Sequence, residues 1–584
     1  MKLFLSGNEA VARGAYEYGV HIAAAYPGTP STEILENIGR YKEIYAQWST
    51  NEKTSLEVAI GASFGGARAL VAMKHVGLNV AADPLFSLAY IGVDGGLVVV
   101  TADDPGMHSS QNEQDNRWLA KAAKVIMVEP ADPEESRWMT REAFELSERF
   151  DGPVLVRMTT RVCHQTGVVN VEAPADVPRR AYQKNAPKYV MLPGHARLRR
   201  PLVEERLRGA EAWANESDRW NPVFPGESDV GVITSGVAFG YVREALPAAN
   251  VLKLGLTYPL PLERIKKFAA SMKKIFVIEE VDPYLEEHVR AAGVPVEGLK
   301  LRPYTGELNL TLVERMLRGE PRDKVTVSLA DLKLPVRPPT LCPGCGHRPL
   351  FKVLRDLKVH VMGDIGCYTL GALKPLDAMH SCMCMGASLG MTEGLDRFGG
   401  ENVTRHTVAV IGDSTFFHSG ITPLIDMVVN GSEATVLILD NGITAMTGAQ
   451  PHPGTGLDIR GAPAPKVAAA AVCRGVGVKR VVEVDAYDMK RLEAVIREEL
   501  AAAELSVVVV QAPCVLAYKV SFGAPVEIDL SLCDRCGACI RVGCMALRER
   551  NGYPEVNPDL CNGCGVCVQV CPPQGIRVPA KVAA

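Results

Sequence analysis

The sequence has little net charge, no long apolar run and no apolar leader. Its 584 residues carry a formal net charge of −4, which gives no reason to expect nucleic acid or an anionic membrane as a partner. Asp83 and Asp94 interrupt the most apolar stretch, so it does not have the composition of a membrane span. The first residues lack the apolar segment of a secretory signal. We therefore expect a cytoplasmic protein of about four domains, without membrane or nucleic-acid partners.

Cysteine, in contrast, is abundant. In a reducing cytosol, 16 cysteines favour metal or redox use over disulfides, which are typical of short secreted chains. Eight of them follow residue 532 in two runs, and the second run, C-x2-C-x2-C-x3-C-P, is the spacing of bacterial two-cluster ferredoxins. Zinc sites rarely repeat four cysteines at this spacing. These runs predict a C-terminal domain that carries single electrons.

The fourth cysteine of each run in such ferredoxins binds the other cluster. We therefore expect two [4Fe–4S] clusters with crossed ligands: Cys533, Cys536, Cys539 and Cys571 on one, and Cys561, Cys564, Cys567 and Cys544 on the other. The first run has one extra residue before Cys544. Whether the cluster that uses Cys544 is [4Fe–4S] or [3Fe–4S] stays open.

The rest of the chain alternates short apolar runs with helical stretches, which is typical of parallel α/β domains. The sequence has no short-period internal repeat. A basic, proline-containing stretch around Arg197–Arg200 is interpreted as a surface connection, with an interaction arm as the alternative. A proline-rich segment, Leu334–Pro339, marks a boundary. Later strands are predicted at Val230–Ser235, Val251–Leu254, Ile275–Glu279, Val359–Met362, Thr407–Ile411, Ala434–Leu439 and Ser506–Val510.

Two polar turns follow neighbouring strands in the third α/β segment. Gly412, Asp413 and Ser414 come after one strand, and Asp440 and Asn441 come after the next. Carboxyl ends of parallel strands share one sheet edge, where nucleotide-like ligands bind. A carboxylate and an amide oxygen suit Mg²⁺ with phosphate oxygens, and Gly412 would let a diphosphate approach the backbone. This spacing makes thiamine diphosphate (ThDP) with Mg²⁺ the leading ligand.

These turns resemble the ThDP motif, although that pattern often has Gly in place of Ser414 and Asn in place of Asp440. Other motifs are similar to those of 2-oxoacid:ferredoxin oxidoreductases, and the loop Asp103–Asp115 is closest to the branch that acts on arylpyruvates. The similarity covers essentially the whole chain. The further motifs that carry it are Gly7–Ala12, Tyr26–Glu33 and Cys342–His347.

The resemblance implies a multidomain α/β enzyme with several doubly wound parallel-sheet domains and a C-terminal ferredoxin-like α+β domain. The expected division is a pyrimidine-binding ThDP domain (1–183), a linker (184–226), a transketolase C-terminal-like α/β domain (227–333), a diphosphate- and Mg-binding ThDP domain (334–523) and a ferredoxin-like domain with two [4Fe–4S] clusters (524–584).

The resemblance also implies residue roles at the ThDP site. Glu57 is expected to activate the cofactor at its pyrimidine, with Glu52 as the rival carboxylate, and Thr29 to contact the substrate. His108 and Gln111 either touch the substrate or the second active-site domain, or lie in a solvated loop. The remaining cofactor contacts are the Ile443 carbonyl on Mg²⁺, Thr447 and Gly448 over the diphosphate, and His347 at the end of its motif.

Four further cysteines resemble the ligands of a proximal [4Fe–4S] cluster, which would take electrons close to ThDP. They are Cys342, Cys345, Cys367 and Cys514, each in a loop or just beyond a predicted strand. The alternative is a set of buried free thiols, since cysteine is common in protein cores. Cys382 and Cys384 are left over and are interpreted as packing residues.

The predicted reaction is the oxidative decarboxylation of an arylpyruvate with CoA to arylacetyl-CoA and CO₂, with electrons passing to ferredoxin. The resemblance implies a separate small gamma-type β subunit in an α2β2 assembly. Pyruvate or 2-oxoglutarate as the substrate, a non-oxidative ThDP decarboxylase and a pure electron-transfer subunit remain alternatives. The tail cysteines argue against the non-oxidative enzyme, which has no use for them.

Overall fold

A computed structural model describes residues 1–298, 305–318, 338–400, 403 and 406–579. The chain divides into two compact units, Met1–Leu329 and Ala330–Ala584, which are described separately. The predicted boundary at residue 333 and most of the proline-rich segment lie outside the described residues.

A seven-stranded sheet organises the first unit, in the order β12-β6-β7-β5-β4-β2-β3. All its pairings are parallel except that of β12 with β6. Central strands β5 and β7 are buried along their whole length, as expected when helices cover both faces of a parallel sheet. The strands of the unit are β1 (Lys2–Ser6), β2 (Ile22–Ala25), β3 (Tyr45–Trp48), β4 (Ala69–Lys74), β5 (Leu97–Asp103), β6 (Ile126–Val128), β7 (Val154–Thr159), β8 (Thr166–Asn170), β9 (Val223–Phe224), β10 (Val230–Ser235), β11 (Asn250–Leu254), β12 (Leu256–Tyr258) and β13 (Lys274–Ile278).

A second, four-stranded sheet of this unit has the order β13-β10-β11-β9. Three of its strands, β10, β11 and β13, agree with the predicted ones, and β9 was not predicted. Strand β12 from the same stretch of chain joins the edge of the first sheet. The helices of the unit are Gly7–Glu17, Thr32–Ile38, Glu52–Phe64, His75–Val80, Ala82–Ile91, Asn116–Ala123, Pro133–Arg149, Thr160–His164, Ala186–Tyr189, Pro193–Glu216, Ala238–Ala245, Leu262–Ala270, Tyr284–Ala291 and Leu310–Arg318.

The stretch expected to be a surface connection is largely a 24-residue helix, Pro193–Glu216. It buries one face through Val203, Leu207, Ala210 and Ala214, at helical spacing. Arg199 Nε donates to the carbonyl of Tyr90 at 2.8 Å, and Arg206 Nη1 to that of Ala89 at 2.9 Å. The basic residues therefore satisfy carbonyls at the C-terminal end of another helix. The segment is an ordered helix that packs through one face, and its role as a connection stays a prediction.

The second unit contains a five-stranded parallel sheet in the order β14-β15-β16-β18-β17. Four of its strands were predicted, and β17 was not, because it is a half-exposed edge strand with charged residues. The strands of this unit are β14 (His360–Met362), β15 (Thr407–Gly412), β16 (Thr435–Asp440), β17 (Arg480–Asp485), β18 (Ser506–Gln511), β19 (Glu527–Ile528), β20 (Leu547–Arg550), β21 (Tyr553–Val556) and β22 (Ile576–Arg577).

Helices cover the faces of this sheet, and a short cysteine-rich fold with two small antiparallel sheets of two strands each follows it. A π-helical turn, Phe416–Gly420, lies directly after the predicted ThDP turn, and such turns are frequent at functional sites. The helices are His347–Leu357, Ala387–Phe398, Asp413–Thr415, Ile421–Val429, Ala469–Gly475, Met489–Ala501 and Val566–Gln569, with 3-10 turns at Cys367–Ala372 and Ile540–Val542.

The mixed α/β fold class with several parallel sheets is therefore confirmed. Among the described residues, no helix combines the length and apolar character that crossing a membrane requires. In the second unit, the register pairs Gly412 with Leu439 and Asp440 with Gln511. The carboxyl ends of β15, β16 and β18 thus meet at one edge, which we call the ThDP edge.

Candidate functional site

Asp413 is the centre of the ThDP edge and is 3% exposed. Its Oδ2 accepts from the backbone N–H groups of Asn441 at 3.1 Å and Gly442 at 2.7 Å. Its Oδ1 accepts from the N–H of Ser414 at 2.8 Å. These bonds fix the carboxylate of one turn against the backbone of the other, as the strand-end argument predicts.

Asn441 and the loop after it supply further oxygens. The amide oxygen of Asn441 accepts from the N–H of Ile443 at 3.0 Å, and Ser414 and Thr444 share a hydroxyl hydrogen bond of 2.8 Å. Thr447 Oγ1 donates to the side chain of Gln450 at 2.5 Å. The structure thus brings Asp413, Asn441, Ile443 and Thr447 into one continuous polar loop system, and Gly448 lies in that loop with φ +120°.

Gly412 lies against a buried aromatic side chain, which leaves no room for a Cβ. Its φ of −78° suits any residue, but an added Cβ would lie 2.8 Å from the ring of Tyr368. Tyr368 donates its hydroxyl to the carbonyl of Ile365, to which Thr415 also donates. Gly412 therefore makes room for the buried tyrosine behind the turn.

His347 is buried at the start of the helix His347–Leu357, with its ring edge-on to Tyr368 at 5.9 Å. Burial lowers the pKa of His347 to about 4, while the nearby Asp413 carboxylate opposes the shift. The side chain is therefore a neutral imidazole at neutral pH. It lies close enough to Asp413 to belong to the ThDP edge.

Sequence reasoning missed two buried groups at this edge. His452 Nε2 lies 3.2 Å from Asp413 Oδ2, and its position between two prolines after the diphosphate loop was the available signal. Asp364 follows β14 as Asp413 follows β15. Its carboxylate accepts from the N–H groups of Gly386 at 3.0 Å and Ser388 at 3.1 Å, so it holds the loop that leads into the helix Ala387–Phe398.

The four proximal cysteines gather beside the ThDP edge. Besides burial, the charges of Cys514 and Cys342 raise the pKa of Cys367. Those of Cys342 and Cys367 likewise raise the pKa of Cys345. Burial raises the pKa of Cys345 to about 12, so without a metal this thiol is neutral. The backbone N–H of Cys514 donates to the carbonyl of Asn441 at 3.1 Å. One residue of this cysteine group is therefore bonded directly to the predicted metal site.

Cys382 and Cys384 were expected to be packing residues, but they do not lie in a core. Both are exposed, and Cys382 Sγ lies 3.6 Å from the carbonyl oxygen of Asp364. They belong to the loop that Asp364 holds.

The eight tail cysteines line two separate cavities. The first tail cavity, of about 340 Å³, is lined by Cys533, Cys536, Cys539 and Cys571. The second tail cavity, of about 440 Å³, is lined by Cys544, Cys561, Cys564 and Cys567. This division has the crossed pattern expected from two-cluster ferredoxins.

Cys345 also lines the second tail cavity, together with Gly344 and Arg348. The proximal cysteines are thus next to the second tail cavity. Burial, and to a lesser extent the charge of Cys539 in the first tail cavity, raises the pKa of Cys567 in the second. No three His, Cys, Asp or Glu side chains of the described residues converge on a single-ion site. A [4Fe–4S] cluster makes a different demand, since its four thiolates bind four separate irons.

The extra residue before Cys544 has a structural explanation. Gly543 has φ +73°, and an added Cβ would lie 2.8 Å from Pro375. The buried Arg348 donates to the carbonyl of Val542 at 3.3 Å and to that of Gly543. The longer spacing therefore forms a left-handed turn that docks the tail on the α/β domain of the same unit.

In the first unit, Glu57, the expected activating glutamate, lies on the surface. Its side chain is 47% exposed and pairs with Lys53 on the surface of the helix Glu52–Phe64. Glu52, at the first position of that helix, is 4% exposed. A methyl group on Gly77 would lie 2.5 Å from Glu52 Oε1. The buried carboxylate on this helix is Glu52.

Glu52 lies near a polar group at the carboxyl end of β4. Burial lowers the pKa of Lys74, and Glu52 and Asp104 are the carboxylates that oppose the shift. Lys74 Nζ donates to the carbonyl of Ser109 at 2.9 Å, and Ser109 Oγ donates to that of Thr29 at 3.2 Å. The structure thus brings Thr29, Glu52 and Lys74 to one sheet edge, and Asp104 completes this group.

The loop that follows β5 is less enclosed. His108 lies 3.4 Å from the carboxylate of Glu307, and Gln111 is exposed. Neither is buried at the sheet edge that carries Glu52.

Three family models match this chain. They are "Pyruvate flavodoxin/ferredoxin oxidoreductase, thiamine diP-bdg" over residues 13–215, "Thiamine pyrophosphate enzyme, C-terminal TPP binding domain" over 364–510, and "4Fe-4S dicluster domain" over 525–574. The second and third cover the ThDP edge and the two tail cavities.

Relatives resemble the chain along nearly its whole length. The protein named indolepyruvate oxidoreductase subunit IorA from Archaeoglobus fulgidus is 42% identical, over 93% of this chain and 96% of that protein. The chain belongs to the IorA family. IorA of Methanothermobacter thermautotrophicus is 41% identical over 99% of this chain and 98% of its own length, and IorA of Pyrococcus horikoshii is 36% identical over 98% and 96%.

A solved structure is similar at a lower level. It is a 2-oxoglutarate:ferredoxin oxidoreductase from Magnetococcus marinus, with 20% identity and a TM-score of 0.43, over 50% of this chain and 60% of that one.

Membership of the IorA family identifies the chain as an oxidoreductase subunit with ThDP-binding domains and a 4Fe–4S dicluster domain. The donor set at the ThDP edge fits what such a cofactor needs. Asp413 and Asn441 offer hard oxygen ligands at the carboxyl ends of neighbouring strands.

Proposed function

We propose that this IorA-family chain catalyses the oxidative decarboxylation of arylpyruvates, with indolepyruvate as a representative substrate. The reaction consumes arylpyruvate, CoA and two oxidised ferredoxins, and it yields arylacetyl-CoA, CO₂, a proton and two reduced ferredoxins. The observation that supports this best is the hydrogen bond between Cys514 and Asn441, which joins the proximal cysteines to the ThDP edge.

ThDP, when bound, supplies the carbanion-stabilising chemistry that releases CO₂ from a 2-oxoacid. We assign Mg²⁺ to Asp413, Asn441 and the Ile443 carbonyl, and we assign the diphosphate contacts to Gly412, Ser414, Thr447 and Gly448. His347 lies behind this site as a neutral group that adds no charge. His452 holds Asp413 in place at 3.2 Å.

Glu52 is proposed in place of Glu57 as the carboxylate that exchanges a proton with the pyrimidine. Its burial at 4% exposure keeps competing water away from such a proton transfer. Thr29, at the same sheet edge, is proposed as a substrate-contacting hydroxyl.

Electrons leave through iron–sulfur clusters in a fixed order. We assign a proximal [4Fe–4S] cluster to Cys342, Cys345, Cys367 and Cys514, and one cluster to each tail cavity. Cys345 lines the second tail cavity, so the proposed order is the proximal site, the second tail cavity and then the first. A small gamma-type β subunit, in an α2β2 assembly, is proposed to complete the enzyme.

The substrate assignment is tested by dye reduction with the anaerobically purified complex. Indolepyruvate, phenylpyruvate, pyruvate and 2-oxoglutarate are compared with and without CoA. We expect the aryl substrates to give the highest kcat/KM, with dependence on CoA. Equal or higher activity on pyruvate would contradict the aryl preference, and absence of bound ThDP and Mg²⁺ would favour a pure electron-transfer role.

A further inference from the structure

A positively charged hollow lies on the surface of the second unit, beside the first tail cavity. We call it the basic hollow, and it encloses about 1030 Å³ including its open side. It lies between the helix His347–Leu357, the turn at Lys374 and the cysteine-rich tail. Its lining side chains are Lys352, Arg355, Asp356, Lys374, Pro375, Asp377, Ala538 and Arg541.

Four cationic and two acidic side chains line the basic hollow, which leaves an excess of positive charge in a chain with a net charge of −4. Asp356 pairs with Lys352 and lies 3.6 Å from Arg355. Lys374 and Arg541 are exposed. The second carboxylate of the hollow, Asp377, is exposed as well, so the lining keeps a net excess of two positive charges.

Hydrogen bonds fix the hollow to the loop that carries the first tail cysteines. Arg541 Nη1 donates to the carbonyl of Cys536 at 2.7 Å. Arg355 Nη1 donates to the carbonyls of Pro375 at 2.6 Å and Arg541 at 3.0 Å. Ala538 lines both the basic hollow and the first tail cavity. A protein bound in the basic hollow would therefore contact Ala538, which also lines the first tail cavity.

The first tail cavity is lined by the most exposed of the eight tail cysteines. Cys536 is exposed, whereas Cys564 and Cys567 are half-buried or buried. In the proposed order of electron flow, it is the last site before an external acceptor. Close approach matters there, because electron tunnelling weakens steeply with distance.

We propose that the basic hollow is the docking surface for an acidic, one-electron iron–sulfur carrier protein that receives electrons from the first tail cavity. This inference rests on the proposed function and adds the place of the electron exit. Complementary charge steers such encounters and sets their rate and salt dependence more than their final affinity. A CoA-like phosphate compound is the other chemistry that a basic hollow could attract, and the test separates the two.

The test uses the intact anaerobic complex with the double variant K352E/K374E. Neither side chain has a hydrogen bond to the cysteine loops among the described contacts, so the clusters should remain. K479E is the matched control, since Lys479 is an exposed lysine before β17 that pairs with Glu504 at 2.8 Å. The acceptors are a purified acidic ferredoxin and a small viologen dye.

At low salt, we expect the KM for ferredoxin to rise about tenfold in K352E/K374E and the difference to shrink as salt screens the charges. Viologen reduction and the KM for CoA should stay at wild-type values, and K479E should behave as wild type. An unchanged KM for ferredoxin would overturn the proposal. A raised KM for CoA would overturn it in favour of a phosphate site.

A failure of the proposed function looks different. In that case the wild-type complex would reduce neither viologen nor ferredoxin with any 2-oxoacid. Ferredoxin would then be tested by direct binding to the wild-type and variant complexes. Equal affinity for both would overturn the docking surface on its own.

Discussion

The backbone N–H of Cys514 donates to the carbonyl oxygen of Asn441 across 3.1 Å. One residue belongs to the proposed proximal cluster and the other to the proposed Mg²⁺ site. The two proposed centres therefore meet where the main chain leaves β16 and β18. The two centres should therefore be separable in composition although they are close in space.

Substituting Asp413 should remove ThDP without removing iron. D413A deletes the carboxylate that holds the turn at Asn441 and offers a ligand to Mg²⁺, so we expect ThDP to be lost and activity to fall at least about 100-fold. Iron content should stay at the wild-type value. D426A, which changes an exposed carboxylate on the helix Ile421–Val429, should keep both. Retained ThDP in D413A would contradict the metal role.

Removing one proximal cysteine should lower iron by one cluster. We expect about twelve irons per chain in the wild type and about eight in C367S, with the tail clusters still visible by electron paramagnetic resonance. The control is C382S, since Cys382 is exposed and outside the proposed ligand set. About eight irons in the wild type would exclude the proximal cluster.

Substitutions of the two candidate glutamates should have different effects on kcat. E52Q removes a buried carboxylate, and we expect kcat to fall by about 100-fold or more, in the range of general acid–base effects. E57Q changes an exposed residue paired with Lys53 and should stay within about twofold of wild type. Proton exchange at the thiazolium C2, followed by NMR, should slow only in E52Q. The opposite ranking would restore Glu57.

Glu280 should make the first unit less stable at alkaline pH. Burial raises the pKa of Glu280 to about 7, above its value in the unfolded chain. The folded state therefore holds the proton more tightly, and this stabilisation is full below about pH 4.5 and is lost as pH rises through about 7. The upper bound is about 3 kcal/mol.

E280Q removes the titratable carboxyl group but keeps a side-chain oxygen. That oxygen can accept a hydrogen bond from the N–H of Leu308, as Glu280 does at 2.9 Å. We expect the Tm of E280Q to exceed that of the wild type more at pH 8.5 than at pH 5. E287Q, at an exposed position on the helix Tyr284–Ala291, should show no such difference. Equal pH profiles for E280Q and the wild type would contradict the raised pKa.

Strand ends were the most reliable guide to the site. Gly412–Ser414 and Asp440–Asn441 were predicted to meet because parallel strands place their carboxyl ends at one edge, and the hydrogen bonds of Asp413 have that geometry. Cysteine spacing was equally informative, since it anticipated how the tail cysteines divide between two cavities.

Sequence reasoning failed where the buried face of a helix had to be known. Glu52 and Glu57 are about 140° apart around one helix, at about 100° per residue, so only one can face the core. The buried residues Ser55, Leu56 and Ala59 share a face with Glu52. This helical spacing is visible in the sequence and favours Glu52 over Glu57 as the buried carboxylate. The helix Pro193–Glu216 was missed because its arginines and Pro201 hide a narrow apolar stripe.

The hydrogen bonds of Arg348 bear on the kinetics of electron transfer in this protein. Its bonds to Val542 and Gly543 hold the tail against the α/β domain of the same unit, so the tail is not a tethered ferredoxin that must find its donor. Any transfer across this contact is a first-order event, independent of protein concentration. Only the last handover, to a free carrier, depends on how much carrier is present, so that step alone sets how the enzyme's rate responds to the supply of acceptor.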